Sequence, residues 1–146
     1  MSSVLIVDDE QPIREFLARW LAASGYKTVE AADADSALAA VSATQPDVVL
    51  CDVHMPGHDG LWLMGQLRTR FPAVAIVLAT ANDDIPPAVS MQRGVVEYLV
   101  KPFERAHVLA AVSRALEWRQ AEAARPVAAA PAADPMDEWL NNDSAQ

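Results

Sequence analysis

Cysteine is nearly absent from this sequence: Cys51 is the only one in 146 residues. No internal disulfide can form, and a reducing cytosol is the expected compartment. Long apolar runs are missing as well. No stretch approaches the roughly 18 apolar residues of a membrane helix, so membrane insertion is not expected. The apolar run after Met1 is only Val4–Val7 and two aspartates follow it, which is not the pattern of a secretory signal. Basic residues are scarce: 11 Lys and Arg stand against 20 Asp and Glu, a formal net charge of −9. Such a field argues against direct nucleic-acid binding. Apolar residues, by contrast, make up 52% of the chain, enough for a sizeable core in one domain of ordinary size.

Charge and composition shift together near the C-terminus. Residues 1–119 hold 15 acids and 10 bases, whereas residues 120–146 hold 5 acids and 1 base. The latter stretch also contains nine alanines and Pro126, Pro131 and Pro135. The chain therefore divides into a compact domain, residues 1–122, and an Ala/Pro-rich linker with a short acidic C-terminal segment, residues 123–146.

Within the domain, short apolar runs alternate with helical patterns. The runs Val4–Val7, Val48–Cys51 and Ala75–Ala79 are continuous, as in strands buried on both faces of a parallel sheet; Thr28–Ala31 and Tyr98–Val100 are weaker. Ile13, Phe16, Leu17, Trp20 and Leu21 form one apolar stripe at helical spacing, stopped by Gly25. Further helices are expected over Ala34–Thr44 with Asp33 as N-cap, over Leu61–Arg70, over Ile85–Arg93 with Pro86 and Pro87 in its first turn, and from about Glu104. Five βα units with right-handed crossovers put helices on both faces of one twisted sheet. The expected fold is α/β, a doubly wound five-stranded parallel sheet of the flavodoxin-like kind, with ligands beyond the carboxyl ends of the strands.

Polar residues stand just past those ends: Asp8, Asp9 and Glu10 after the first strand, Asp52 after the third, Thr80 after the fourth and Lys101 after the fifth. Each has an ordinary reading, as cap, turn former, loop hydroxyl or surface charge. Together they converge on one edge, where crowded carboxylates raise one another's pKa. A divalent cation relieves that repulsion, and oxygen ligands in an open, wet site favour Mg2+. A carboxylate group beside a hydroxyl, an ammonium and a divalent cation suits phosphoryl transfer, with a carboxylate as possible nucleophile.

The stretches VLIVDDE (Val4–Glu10), VVLCDVHMPGHDG (Val48–Gly60), VLATA (Val77–Ala81) and EYLVKPF (Glu97–Phe103), in this order and spacing, resemble the receiver domain of two-component response regulators over residues up to about 120. The resemblance implies the (βα)5 receiver fold and a set of roles. Asp52 would be the phosphoacceptor. Asp9 would bind Mg2+ directly, Asp8 largely through water, and the backbone carbonyl of His54 would complete the protein ligands. Lys101 would contact Asp52 and then a phosphoryl oxygen. Thr80 would turn its hydroxyl to the phosphoryl group, and Tyr98 would rotate inward behind it. Ala81 would leave room for that group, and the bond before Pro102 would be cis. The side chains of His54 and Asn82 would flank the path of an attacking water and modulate phosphoryl lifetime. The resemblance further implies a sensor histidine kinase or histidine phosphotransfer protein as donor. An output protein would bind the face made by the fourth helix, the fifth strand and the fifth helix, made unusually apolar here by Val95, Val96, Pro86 and Pro87. A homodimer is a further possibility.

Other residues have weaker functional readings. His54 and His58 lack a third soft ligand for zinc. Cys51 falls in a buried strand and reads as a small core residue rather than a redox switch. Trp20 reads as core, and Trp62 fits core packing and a partner contact equally. The last helix, extended to about Ala124, would measure roughly 31 Å, leaving an overhang with Trp118 as a dimer contact, a stalk or a fraying end. In the last segment Asp134 can cap, Pro135 suits the first helical position, and Met136, Trp139 and Leu140 share one face. A helix that short needs a surface to bind, so the segment reads as a docking motif, as disorder, or as a truncated linker to another domain.

Three function classes compete on this reading. The first is a phosphorylatable signalling switch, not a turnover enzyme, that shifts population on phosphorylation. The second is a phosphate-independent interaction module. The third is a Mg2+-dependent phosphatase similar to the haloacid dehalogenases, disfavoured because His54 stands where those enzymes carry a second aspartate.

Overall fold

The computed structural model describes residues 2–81 and 95–124, with the side chain of Val96 excepted. The expected fourth helix, Asn82, Pro86, Pro87 and the segment 125–146 lie outside the described residues. Five strands are present: β1 (Ser3–Val7), β2 (Lys27–Ala31), β3 (Val48–Asp52), β4 (Ala75–Thr80) and β5 (Val95–Val100). Four helices are described: α1 (Gln11–Ala23), α2 (Ala34–Thr44), α3 (Gly60–Arg70) and α4 (Arg105–Ala124). The strands form one sheet in the order β2-β1-β3-β4-β5, and every pairing is parallel. The order reverses between β1 and β3, so the helices after them leave opposite faces and open a crevice at the carboxyl edge.

The continuous apolar runs serve both faces because successive side chains point to opposite sides of a strand. Leu5, Val7, Val49, Cys51, Ile76 and Leu78 face α2 and α3, where they meet Ala37, Val41, Leu63 and Leu67. Val4, Ile6, Val48, Leu50, Val77 and Ala79 face α1 and α4, where they meet Leu17, Leu21, Val108 and Val112. Most of these side chains are fully buried. β5 runs six residues, longer than its apolar run Tyr98–Val100, because a bulge at Ile76/Val77 lets Val95 pair with β4.

Helix ends follow their local chemistry. Pro12 lies in the first turn of α1, where its missing N–H costs nothing. That helix stops at Gly25, whose φ of 95° suits a residue without Cβ. Asp33 accepts the Ser36 N–H at 2.7 Å and caps α2; Asp59 accepts the Trp62 N–H at 2.9 Å and caps α3.

Two expectations need correction. Phe16 is not in the core: it is 50% exposed. Leu17 and Leu21 centre the buried face of α1, and Phe16, one residue before Leu17, is rotated about 100° from it. Trp118 is not in a free overhang. It packs against the core, and Arg119 in the next position donates to Asp47 Oδ1 at 2.9 Å and to the Ala73 carbonyl at 2.7 Å, so α4 still covers the sheet there.

Leu50 lies in the central strand and is 1% exposed. Leu50→Ala is expected to cost about 2–5 kcal/mol, read as a lower urea midpoint at unchanged slope.

Candidate functional site

In a parallel sheet every strand delivers its last residue to the same edge. Asp8 follows β1, Asp52 ends β3 and Thr80 ends β4; Lys101 follows β5. Pairing continues past the strand ends: the Val53 N–H donates to the Ala79 carbonyl at 2.8 Å, and the Lys101 N–H to the Thr80 carbonyl at 2.8 Å. Residues as far apart in sequence as Asp8 and Lys101 therefore meet.

They meet as ions. Lys101 Nζ lies 3.0 Å from Asp52 Oδ2 and 3.1 Å from Asp8 Oδ2. Asp8 and Asp52 are almost fully buried, as is Thr80, while Asp9 is exposed. The second oxygen of each buried carboxylate is also held. Asp8 Oδ1 accepts the Glu10 N–H at 2.9 Å, and Asp52 Oδ1 accepts the His54 N–H at 3.2 Å. Arg14, the fourth residue of α1, donates to the Asp8 carbonyl at 2.7 Å and pairs with Glu30 at 3.5 Å. The Lys101–Pro102 peptide is cis.

Burial is the largest influence on Asp52. It raises the carboxyl pKa above the usual range, with the charge of Asp8 adding to it, against the pull of Lys101 and the His54 N–H. Burial alone would lower the Lys101 pKa, but hydrogen bonds and charge from Asp52 and Asp8 outweigh it and hold the ammonium above its ordinary value. Lys101 thus stays charged but is shared between two acids. One carboxylate oxygen from each of Asp8, Asp9 and Asp52 can be grouped within 4.8 Å of the others. Three carboxylates and one ammonium leave two negative charges, the charge that one divalent cation neutralises. The donor set is all oxygen and one side is open, which fits Mg2+.

Sequence reasoning gave no role to Gly60, although it quoted the residue. A Cβ there would collide with the carbonyl oxygen of Asp52 and come within 2.9 Å of Val53 Cα. The close approach lets the Gly60 N–H donate to the Val53 carbonyl at 2.9 Å and sets α3 against the end of β3. The signal was the glycine directly after the capping aspartate Asp59. The role of Arg14 was missed as well, and nothing in a stretch of one sequence distinguishes it from a surface charge.

The remaining candidates are more dispersed. Ala81 is exposed and borders a groove shared with Lys101 and Pro102. Tyr98 packs at the edge of the core on the α2 and α3 side. Its hydroxyl is buried without a hydrogen-bond partner among the described residues, and burial raises its pKa. His54 is exposed. His58 does not join the acids: its Nδ1 lies 3.1 Å from Asp35, and its ring stacks on Trp62 at 3.8 Å. Trp62 thus packs against the core and stacks on a loop histidine at once. Cys51 is buried, and burial pushes its thiol far above the range in which it would ionise. On β5, Glu97 pairs with Arg114 of α4 at 2.6 Å, so that face carries charge as well as the apolar Val100.

Comparison with known proteins agrees with this geometry. Residues 4–113 match the family model of the response regulator receiver domain, and the chain belongs to that family. Its relatives include the DNA-binding transcriptional regulator NtrC of Salmonella typhimurium, 40% identical over 118 residues, which are 80% of this chain and 25% of NtrC. The response regulator protein FleR of Pseudomonas aeruginosa is 39% identical over 114 residues, 77% of this chain and 24% of FleR. The chain thus spans about a quarter of the length of these curated relatives. Among solved structures, NtrX from Brucella abortus in complex with ADP superposes with a TM-score of 0.76 at 35% identity, covering 84% of this chain and 29% of NtrX. TrrA from Thermotoga maritima, in complex with Mg2+-BeF, gives 0.73 at 33% identity, covering 80% of this chain and all of that one. Among the described residues no helix is long and apolar enough to cross a membrane.

Because folded Asp52 holds its proton more tightly than an unfolded aspartate, its stabilising contribution is complete below the ordinary carboxylate range. That contribution is lost as pH rises through the raised value. Asp52→Asn is therefore expected to raise the thermal midpoint at neutral pH in EDTA; an unchanged or lower midpoint would contradict the cost assigned to this buried charge. Gly60→Ala is expected to destabilise by about 1–3 kcal/mol through overpacking, measurable by urea unfolding.

Proposed function

We propose that this chain receives a phosphoryl group on Asp52 in a Mg2+-dependent reaction and thereby switches partner binding, as a receiver in two-component signal transduction. The observation that carries this reading is Lys101 Nζ held between Asp52 and Asp8, beside a third carboxylate from Asp9. A carboxylate oxygen of Asp52 attacks the phosphorus of a phosphohistidine. The new P–O bond forms as the P–N bond breaks, and the imidazole leaves with the electron pair. Asp9 and Asp52, the backbone carbonyl of His54 and, largely through water, Asp8 would hold Mg2+, which would supply charge neutralisation to the phosphoryl oxygens. Lys101 exchanges a carboxylate contact for a phosphoryl oxygen, an electrostatic clamp of the kind that dominates phosphoryl transfer.

Thr80, buried at the end of β4, is the hydroxyl that reports the phosphoryl group, and Tyr98 is the ring that follows it. The Tyr98 hydroxyl, buried without a hydrogen-bond partner among the described residues, is consistent with a side chain that has a second position to go to. Ala81 leaves the phosphoryl group room, and His54 flanks the path of hydrolytic water, a role also assigned to Asn82, outside the described residues. The domain assists its own phosphorylation and hydrolysis without being a turnover enzyme. Its donor is a sensor histidine kinase or phosphotransfer protein. Its output runs through the β5 and α4 face toward a protein partner or a second copy. Residues 1–122 are the receiver and 123–146 an extension, in a cytoplasmic setting.

Incubation with acetyl phosphate and Mg2+ is expected to add one phosphoryl group by intact mass. EDTA or Asp52→Asn should abolish the gain, and Lys101→Ala should slow it about 10²-fold or more, the scale for losing one such stabilising group. A gain that survives Asp52→Asn would refute the assignment.

A further inference from the structure

Beside the acid cluster lies an apolar groove of about 510 Å3, bordered by Phe16 and Trp20 of α1 and by Ala81, Lys101, Pro102 and Phe103. Phe16, half exposed, leans on Trp20 with ring centroids 6.3 Å apart, and the Arg19 guanidinium stands 5.7 Å from the Phe16 ring. The half-exposed Phe16, backed by the partly buried Trp20, leaves apolar surface over this groove for a partner to cover.

We propose that the segment Asp134–Leu140 of this same chain docks there in cis as a short helix, with Met136, Trp139 and Leu140 in the groove. Three features of the chain carry the assignment. Met136, Trp139 and Leu140 fall at i, i+3 and i+4, one apolar face matched to an apolar groove. Asp137 borders that face, opposite in charge to Arg19 on the groove rim. The reach is sufficient. The groove lies at the N-terminal end of α4, beside Phe103, and the far end of this 20-residue helix is about 30 Å away. The eleven residues 125–135 extend to about 36–40 Å, enough to return along the seam between α1 and α4. A helix of one or two turns is marginal alone, so contact with the groove is what would order it.

Docking does not depend on the phosphoryl-transfer reading.

The full chain carrying Asn142→Cys, labelled with a nitroxide, tests this; native Cys51 is buried and should escape the label. The amide signals of Phe16, Trp20 and Phe103 are expected to lose intensity selectively. Trp139→Ala and, separately, Phe16→Ser should each restore it, neither residue being needed for the core. Mixing isotope-labelled chains without nitroxide and unlabelled chains with it should give no loss. Uniform or absent broadening overturns the proposal, as does broadening that persists in either variant. Broadening in the mixed sample also overturns it and assigns the groove to a second copy.

Discussion

Lys101 Nζ, 3.0 Å from one nearly buried carboxylate and 3.1 Å from another, is the contact around which the molecule is arranged. Two acids cannot be buried side by side without strong compensation, because desolvation and mutual repulsion both disfavour their charged forms. The single ammonium balances only one of the two negative charges. The backbone N–H groups of Glu10 and His54 take the remaining oxygens, and Asp52 is still left with a raised pKa. The residual negative charge of this group is the kind that a divalent cation neutralises.

That arrangement depends on the sheet. Only a parallel sheet ends all its strands at one edge, and only the reversal of strand order between β1 and β3 opens a crevice there. The core that holds the strands in place is divided by their two-residue period into one layer against α2 and α3 and another against α1 and α4. Gly60 shows how tightly the edge is packed: a single methyl group would strike the carbonyl of the residue that carries the central carboxylate. The site has little freedom to relax, consistent with a chemistry that works through positioning.

Much of this was legible in the chain. Continuous apolar runs identified β1, β3 and β4 closely, since strands buried on both faces need no polar alternation. Asp33 and Gly25 marked helix ends because capping and positive φ are local demands, answered by one residue. The converging polar residues could be read from their places after the strands, and the structure brings Asp8, Asp52 and Lys101 together. Other features were hidden. Helical periodicity placed Phe16 in a stripe with Leu17, but the width of the buried face depends on what packs against it. Trp118 looked like overhang because the position of Asp47 and Ala73 beneath the last turns of α4 is a tertiary fact. Gly60 was visible as a glycine, yet its near contact with Asp52 belongs to two elements brought together.

The sequence by itself determined the order of elements, the caps, the two-sided burial of the central strands and the list of chemically able side chains. All of these are local or periodic properties, set by backbone sterics and by which residues water excludes. The tertiary structure alone decided which charges share Lys101, how far Asp52 is desolvated, and that an aromatic groove borders the acids. Distances between residues 44 or 93 positions apart, and the dielectric around them, arise only when the sheet has closed and its helices have packed.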